Sequence, residues 1–222
     1  MIPIGDDNSG RRLTPVVTYA LIAINVLFFL VELSGGDAFI MQWAYIPAQF
    51  LADPIGELPT VLTSMFMHAG WMHLIGNMVY LWIFGDNVED RLGHSLFLVF
   101  YLVCGLAATA LQTFFSMNSS IPNVGASGAI AGILGAYLLM FPRQRVQVLM
   151  GRAVVPMSAL IVIGVWFVLQ LFSGFSSITT AAQDGGGVAY MAHVGGFIAG
   201  AALTFLLGGT RRQSLPPPGY RY

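Results

Sequence analysis

Apolar residues in this chain run in long blocks, not in stripes that recur every three or four positions. Six blocks read as helices: residues 14–33, 71–87, 95–116, 127–142, 153–174 and 189–208. A bilayer core about 30 Å thick takes roughly 20 apolar residues per helix. The second and fourth blocks are short of that, so they are expected to tilt, to begin below the surface or to be shielded by neighbours. The ten-residue alternation of a membrane β-barrel is absent. The first block is longer than the apolar core of a signal peptide and lacks a small-residue cleavage site, so it reads as a retained helix. The pattern predicts an all-α, polytopic membrane protein with a bundle of six transmembrane helices.

Composition supports that class: 56% of the 222 residues are hydrophobic and 9% charged, too little polar surface for a soluble domain. The charges then orient the bundle. There is no Lys, and the nine Arg are residues 11, 12, 91, 143, 145, 152, 211, 212 and 221. They precede the first segment, follow the sixth, and lie between the second and third and between the fourth and fifth. With six segments, all of these regions share one side, which the positive-inside rule makes cytoplasmic. Both termini are therefore expected there. The chain divides into a polar cytoplasmic lead (1–12), a six-helix domain (13–208) and a disordered cytoplasmic tail (209–222) with Pro216, Pro217 and Pro218.

The long connection 34–70 carries Trp43, Tyr45, Phe50, Phe66 and Trp71 at or beside its apolar stretches and is expected in or on the outer leaflet. Residues 117–126 and 175–188 form the other outer loops, and Gly185, Gly186 and Gly187 suit the latter to mobility. There is no internal repeat of the kind many transporters show. Cys104, the lone cysteine, reads as packing. No paired-Cys or His-cluster spacing suggests a metal.

Three patches carry candidate chemistry: H-A-G-W-M-H-L-I-G-N at 68–77, G-A-S-G at 125–128, and A-H-V-G-G-F-I-A-G at 192–200. The second, fourth and sixth segments all run inward from outside. His73, Asn77, Ser127 and His193 each lie near the outer end of one of them, so these polar groups share one depth. Gly128, Gly132 and Ala136 recur at spacing four, as do Ala192, Gly196 and Gly200, and small residues so spaced let membrane helices approach closely. If those faces meet, so do Ser127 and His193. A serine hydroxyl needs a neighbouring base to become a nucleophile, and imidazole suits that task. The backbone N–H of Ser127 at a helix start, with His73 and Asn77 on one face, offers donors for an oxyanion. Taken singly, G-A-S-G is a common packing surface and His73 or Asn77 could merely link helices; a buried membrane His is costly without a role.

Together these motifs resemble the rhomboid family of intramembrane serine proteases over residues 14–208. The family's H-x₄-H-x₃-N corresponds to His68, His73 and Asn77. Its G-x-S-G corresponds to Gly125, Ser127 and Gly128, and its A-H-x₂-G-x₃-G to Ala192, His193, Gly196 and Gly200. The resemblance implies a Ser127–His193 dyad acting through an acyl-enzyme. It places His73, Asn77 and the Ser127 backbone in the oxyanion hole, His68 at a hydrated mouth of the site, and Glu89 and Gly93 in structural roles. It implies that the fifth helix and loop 175–188 gate lateral access of a substrate helix. Cleavage is expected at a small residue near the outer end of a single-span protein, helped by nearby helix-breaking residues. The sequence departs from the family in two places. No Arg anchors the 34–70 connection, and Ala131 stands where some relatives stack a Tyr on the catalytic His. The layout, with no seventh helix or added domain, resembles members in bacterial cytoplasmic membranes. The expected partners are transmembrane protein substrates and the lipid bilayer, with no cofactor, no metal and no nucleic acid. The alternatives are a noncatalytic binder of client helices in the same groove and, ranked below it, a small transporter.

Overall fold

The computed structural model describes residues 2–179 and 189–209. Most of the 175–188 loop and nearly all of the 209–222 tail lie outside those residues. Helix α1 (Val16–Trp43) is followed by two short helices, α2 (Pro47–Ala52) and α3 (Leu58–Thr63), and a single 3-10 turn. Then come α4 (Trp71–Leu92), α5 (His94–Phe115), α6 (Ser127–Met140), α7 (Ala159–Thr179) and α8 (Tyr190–Leu206). Among the described residues, α1, α5 and α7 are long and apolar enough to cross a membrane.

Burial explains how so short a helix as α6 can stand in such a bundle. At about 1.5 Å per residue its 14 residues reach only about 21 Å, but every residue from Gly128 to Tyr137 is buried. Its neighbours α4, α5, α7 and α8 cover it, so lipid does not set its length. Missing side chains set its fit against α8. A Cβ on Gly196 would overlap the carbonyl oxygen of Gly128, and one on Gly200 the carbonyl oxygen of Gly132. On its other side Gly128 leaves room for Ala108 of α5, and Gly132 for Cys104, which is buried and unpaired.

Two features depart from the block pattern. Helix α1 continues past residue 33 and breaks at Gly36, whose φ of 59° and ψ of −154° no ordinary helix residue adopts. The connection to α4 is thus mostly helical. It is fastened without an Arg: Asn123 N–H donates to Tyr45 O (2.7 Å), Ala48 N–H to Ser119 O (3.1 Å), and Thr63 Oγ1 to Trp43 O (2.6 Å). The Tyr45 hydroxyl meets Thr113 Oγ1 at 2.7 Å.

The second departure is a three-stranded antiparallel sheet, ordered β1 (Ile2–Asp6), β2 (Arg145–Met150), β3 (Ala153–Ser158). The polar lead thus forms a strand, and the fifth apolar block begins as one. In β2 the alternation Arg145, Val146, Gln147, Val148 buries only the two valines, the period of a half-buried strand. Gly151, at φ 63°, sits in the turn. Pro156, which has no N–H to donate, lies on the edge strand β3.

The C-terminal end of α4 fastens the start of the chain. Fully buried Glu89 accepts from Val17 N–H (2.9 Å), Thr18 N–H (2.7 Å) and the Thr18 hydroxyl (2.6 Å), and meets His94 Nδ1 at 2.6 Å. One carboxylate thereby satisfies the free N–H groups of the first turn of α1 and opposes its dipole. Asp90 accepts from Arg12 and Leu13 N–H. Gly93, at φ 77°, ends α4 and opens α5 with a backbone conformation that side chains disfavour.

Candidate active site

Ser127 is the first residue of α6, so its N–H is among those a helix leaves unpaired. The chain reaches it through Gly125, whose φ is 135° and whose N–H donates to Ser64 O (2.9 Å). A Cβ at Gly125 would stand 2.9 Å from Cε1 and 3.0 Å from Nε2 of His73, and 3.4 Å from Ser127 Oγ. The bare glycine therefore admits the His73 ring beside the serine hydroxyl.

His193, in the first turn of α8, is 8% exposed. Its Nε2 lies 2.8 Å from Ser127 Oγ. Its Nδ1 lies 2.7 Å from Oε1 of Gln170 on α7. An amide oxygen only accepts, so in this arrangement a protonated Nδ1 donates to Gln170 and leaves Nε2 to accept from the serine hydroxyl. The Trp166 ring, one turn before Gln170, packs on the imidazole at 5.8 Å between centroids and 35° between planes. Trp166 thus makes the aromatic contact that Ala131 cannot. Ala131 itself is fully buried within α6.

The other residues of the first motif are placed as follows. Asn77, one turn along α4 from His73, is buried, and its side-chain nitrogen has no hydrogen-bond partner among the described residues. His73 Nδ1 accepts from Ala69 N–H at 3.3 Å. His68, expected at a hydrated mouth, is 1% exposed, edge-on to Phe29 and 5.2 Å from the His73 ring. Its ring nitrogens have no partner among the described residues, and its backbone N–H donates to Glu32 (2.9 Å). The cause is the path of α1, which brings Phe29 and buried Glu32 against the loop before α4.

A cavity opens beside Ser127, walled by Gly105, Ala108, Gly128 and Ala192, with Met65 and Gln112 also lining it. Gln112 accepts the N–H of Ala192 at 3.1 Å, which ties the start of α8 to α5. Among the described residues, no group of three or more His, Cys, Asp or Glu is arranged to hold a metal ion.

Gln170, Trp166, Glu32 and Gln112 do not belong to the sequence motifs. The first had a readable signal, being the only amide or charged side chain between residues 159 and 179. A polar group in a membrane helix is costly unless it has a partner.

A family model described as the Rhomboid domain matches residues 56–210. Rhomboid protease GluP of Bacillus subtilis (strain 168) is 33% identical over 195 residues, covering 85% of this chain and 35% of that protein. Rhomboid protein 1, mitochondrial, of Saccharomyces cerevisiae is 29% identical, covering 83% of this chain and 51% of that protein. Rhomboid protease GlpG of Salmonella paratyphi A is 27% identical, covering 88% and 64% respectively. The chain thus spans between 35% and 64% of the length of these relatives.

Proposed function

The chain belongs to the rhomboid family, and on that premise we propose that it is an intramembrane serine endopeptidase that cleaves transmembrane substrate helices near their outer ends. One observation carries the reading: Ser127 Oγ stands 2.8 Å from His193 Nε2 at the start of a buried helix.

The chemistry follows from that geometry. His193 Nε2 takes the Ser127 proton as Oγ attacks the scissile carbonyl carbon. The oxyanion that forms accepts from the Ser127 N–H and from His73 and Asn77. An Asn77 N–H buried without a partner costs about 1–3 kcal/mol, and a developing oxyanion would offset that cost only as the reaction proceeds. Collapse passes the proton from His193 to the leaving amine and leaves an acyl group on Ser127. Water, activated by His193, then releases it. The small walls of the cavity beside Ser127 favour a small side chain at the cleaved residue.

Six crossings by α1, α4, α5, α6, α7 and α8, with the Arg-bearing ends cytoplasmic, agree with the placement of the Arg residues. A bacterial cytoplasmic membrane is the proposed location; the relatives include proteins of Bacillus and Salmonella as well as a mitochondrial one of Saccharomyces. Glu89 and Gly93 then serve structure, as their contacts to α1 and α5 suggest.

The test is fluorophosphonate labelling of detergent-purified full chain, wild type beside Ser127→Ala and His193→Ala. Labelling of the wild type alone is expected. A folded, monodisperse wild type that stays unlabelled would sink the protease reading in favour of a noncatalytic client binder.

A further inference from the structure

The hydrogen bonds of His193 run to two helices. Ser127 on α6 meets Nε2, and Gln170 on α7 meets Nδ1 at 2.7 Å. We infer that Gln170 is a positioning residue for the catalytic base, holding His193 in the tautomer whose Nε2 can take the Ser127 proton. The inference rests on the Ser127–His193 reading above and deepens it by adding a residue that orients the base.

Three observations support it. An imidazole with no partner on Nδ1 can place its proton on either nitrogen. With the proton on Nε2 it would donate to the serine oxygen and could not act as base. The Gln170 oxygen, as the acceptor facing Nδ1, favours the proton there. Next, among the described residues the helices around His193 offer it no carboxylate: neither α6, α7 nor α8 contains an Asp or Glu. A neutral amide orients the ring without a second buried charge, which would be costly in apolar surroundings. Last, Trp166 and Gln170 are four residues apart and therefore share a face of α7. Trp166 packs at a tilt against the imidazole while Gln170 meets its Nδ1 edge. Trp166 is itself backed by Phe197, at 6.4 Å. Ring rotation about either axis is thereby opposed from one helix.

The variants Gln170→Leu and Gln170→Glu separate positioning from packing. Each is purified as full chain, checked for monodispersity, and labelled with a fluorophosphonate from pH 5 to pH 9, giving a limiting rate and a half-saturating concentration. Gln170→Leu keeps bulk but removes the acceptor. Its limiting rate is expected to fall about 10–100-fold with half-saturation little changed. Gln170→Glu keeps the acceptor and adds a charge that favours the imidazolium. It should label well at alkaline pH, with the acid limb of its profile moved up by about one unit or more. A role in packing alone would not move that limb. If wild type labels through Ser127 and both variants match it in rate and profile, the inference is overturned and the dyad stands. If Gln170→Leu does not fold, an unmoved acid limb in Gln170→Glu overturns it alone. Labelling that survives Ser127→Ala would instead remove the reading on which it rests.

Discussion

Two imidazoles reach Ser127 from different helices. His193 meets Oγ directly, while His73 lies across the bare backbone of Gly125. If His73 and Asn77 donate to the oxyanion, removing either should slow acylation without weakening probe capture. His73→Ala and Asn77→Ala are each expected to lower the limiting fluorophosphonate labelling rate by about 10²–10³, with the fold retained by circular dichroism. Wild-type rates in both would remove them from the oxyanion hole. The meeting of Ser127 and His193 was legible in the sequence, because helix direction and the spacing of small residues place both at one end of facing helices. Gln170 and Trp166 were not read, because a window over 153–174 averages one amide into an apolar mean. The surroundings of His68 were not legible for a different reason: its neighbours Phe29 and Glu32 come from α1, and no local pattern announces a contact 36 residues away.

Helix packing sets that distance through atoms that are absent. The backbone of α8 lies on the carbonyl oxygens of α6 at Gly196 and Gly200. A methyl group at Gly196 must push against Gly128 O, one residue from Ser127. Gly196→Ala is therefore expected to part α6 from α8, destabilise the bundle by about 1–3 kcal/mol and slow labelling of Ser127. Gly164, on α7, has nothing within 4 Å of where its Cβ would stand. There Gly→Ala should be neutral or slightly stabilising through helix propensity. Thermal unfolding in detergent with parallel labelling compares the two, and equal effects would contradict the packing argument. The helices themselves were legible to within a few residues, except where the chain did something local hydropathy does not encode. Residues 153–158 are apolar enough to run on into the helix after them, so the block reads straight through a strand. Only the alternation at 145–148 hints at the hairpin, and its partner strand lies near residue 1.

The first residues of the chain join parts far apart in sequence into one closed end. β1 pairs with β2, Asp6 accepts from the Tyr137 hydroxyl (2.6 Å) and Asn87 (2.8 Å), and Arg11 meets Asp86 at 2.5 Å. Asp6 is the titratable member of this contact that lies in the sheet. Burial raises its carboxyl from 3.8 to about 6; the Tyr137 hydrogen bond opposes the shift, nearby Asp86 and Asp7 reinforce it, and Arg11 opposes it. A carboxyl raised on folding binds its proton more tightly in the folded chain than in the unfolded one. Its contribution to stability is thus complete below about pH 4 and lost as pH rises through about 6. Wild type should therefore lose thermal stability between pH 4.5 and pH 7 relative to Asp6→Asn, which keeps an acceptor for Tyr137 and cannot ionise. Other titrating groups act on both proteins, so the difference between the two melting curves isolates Asp6. Parallel pH dependence in the two would mean that the carboxylate finds enough compensation from Arg11, Asn87 and Tyr137 to stay charged in the closed end. A growing gap toward neutral pH would mean that the sheet holds the start of the chain most firmly when Asp6 is protonated.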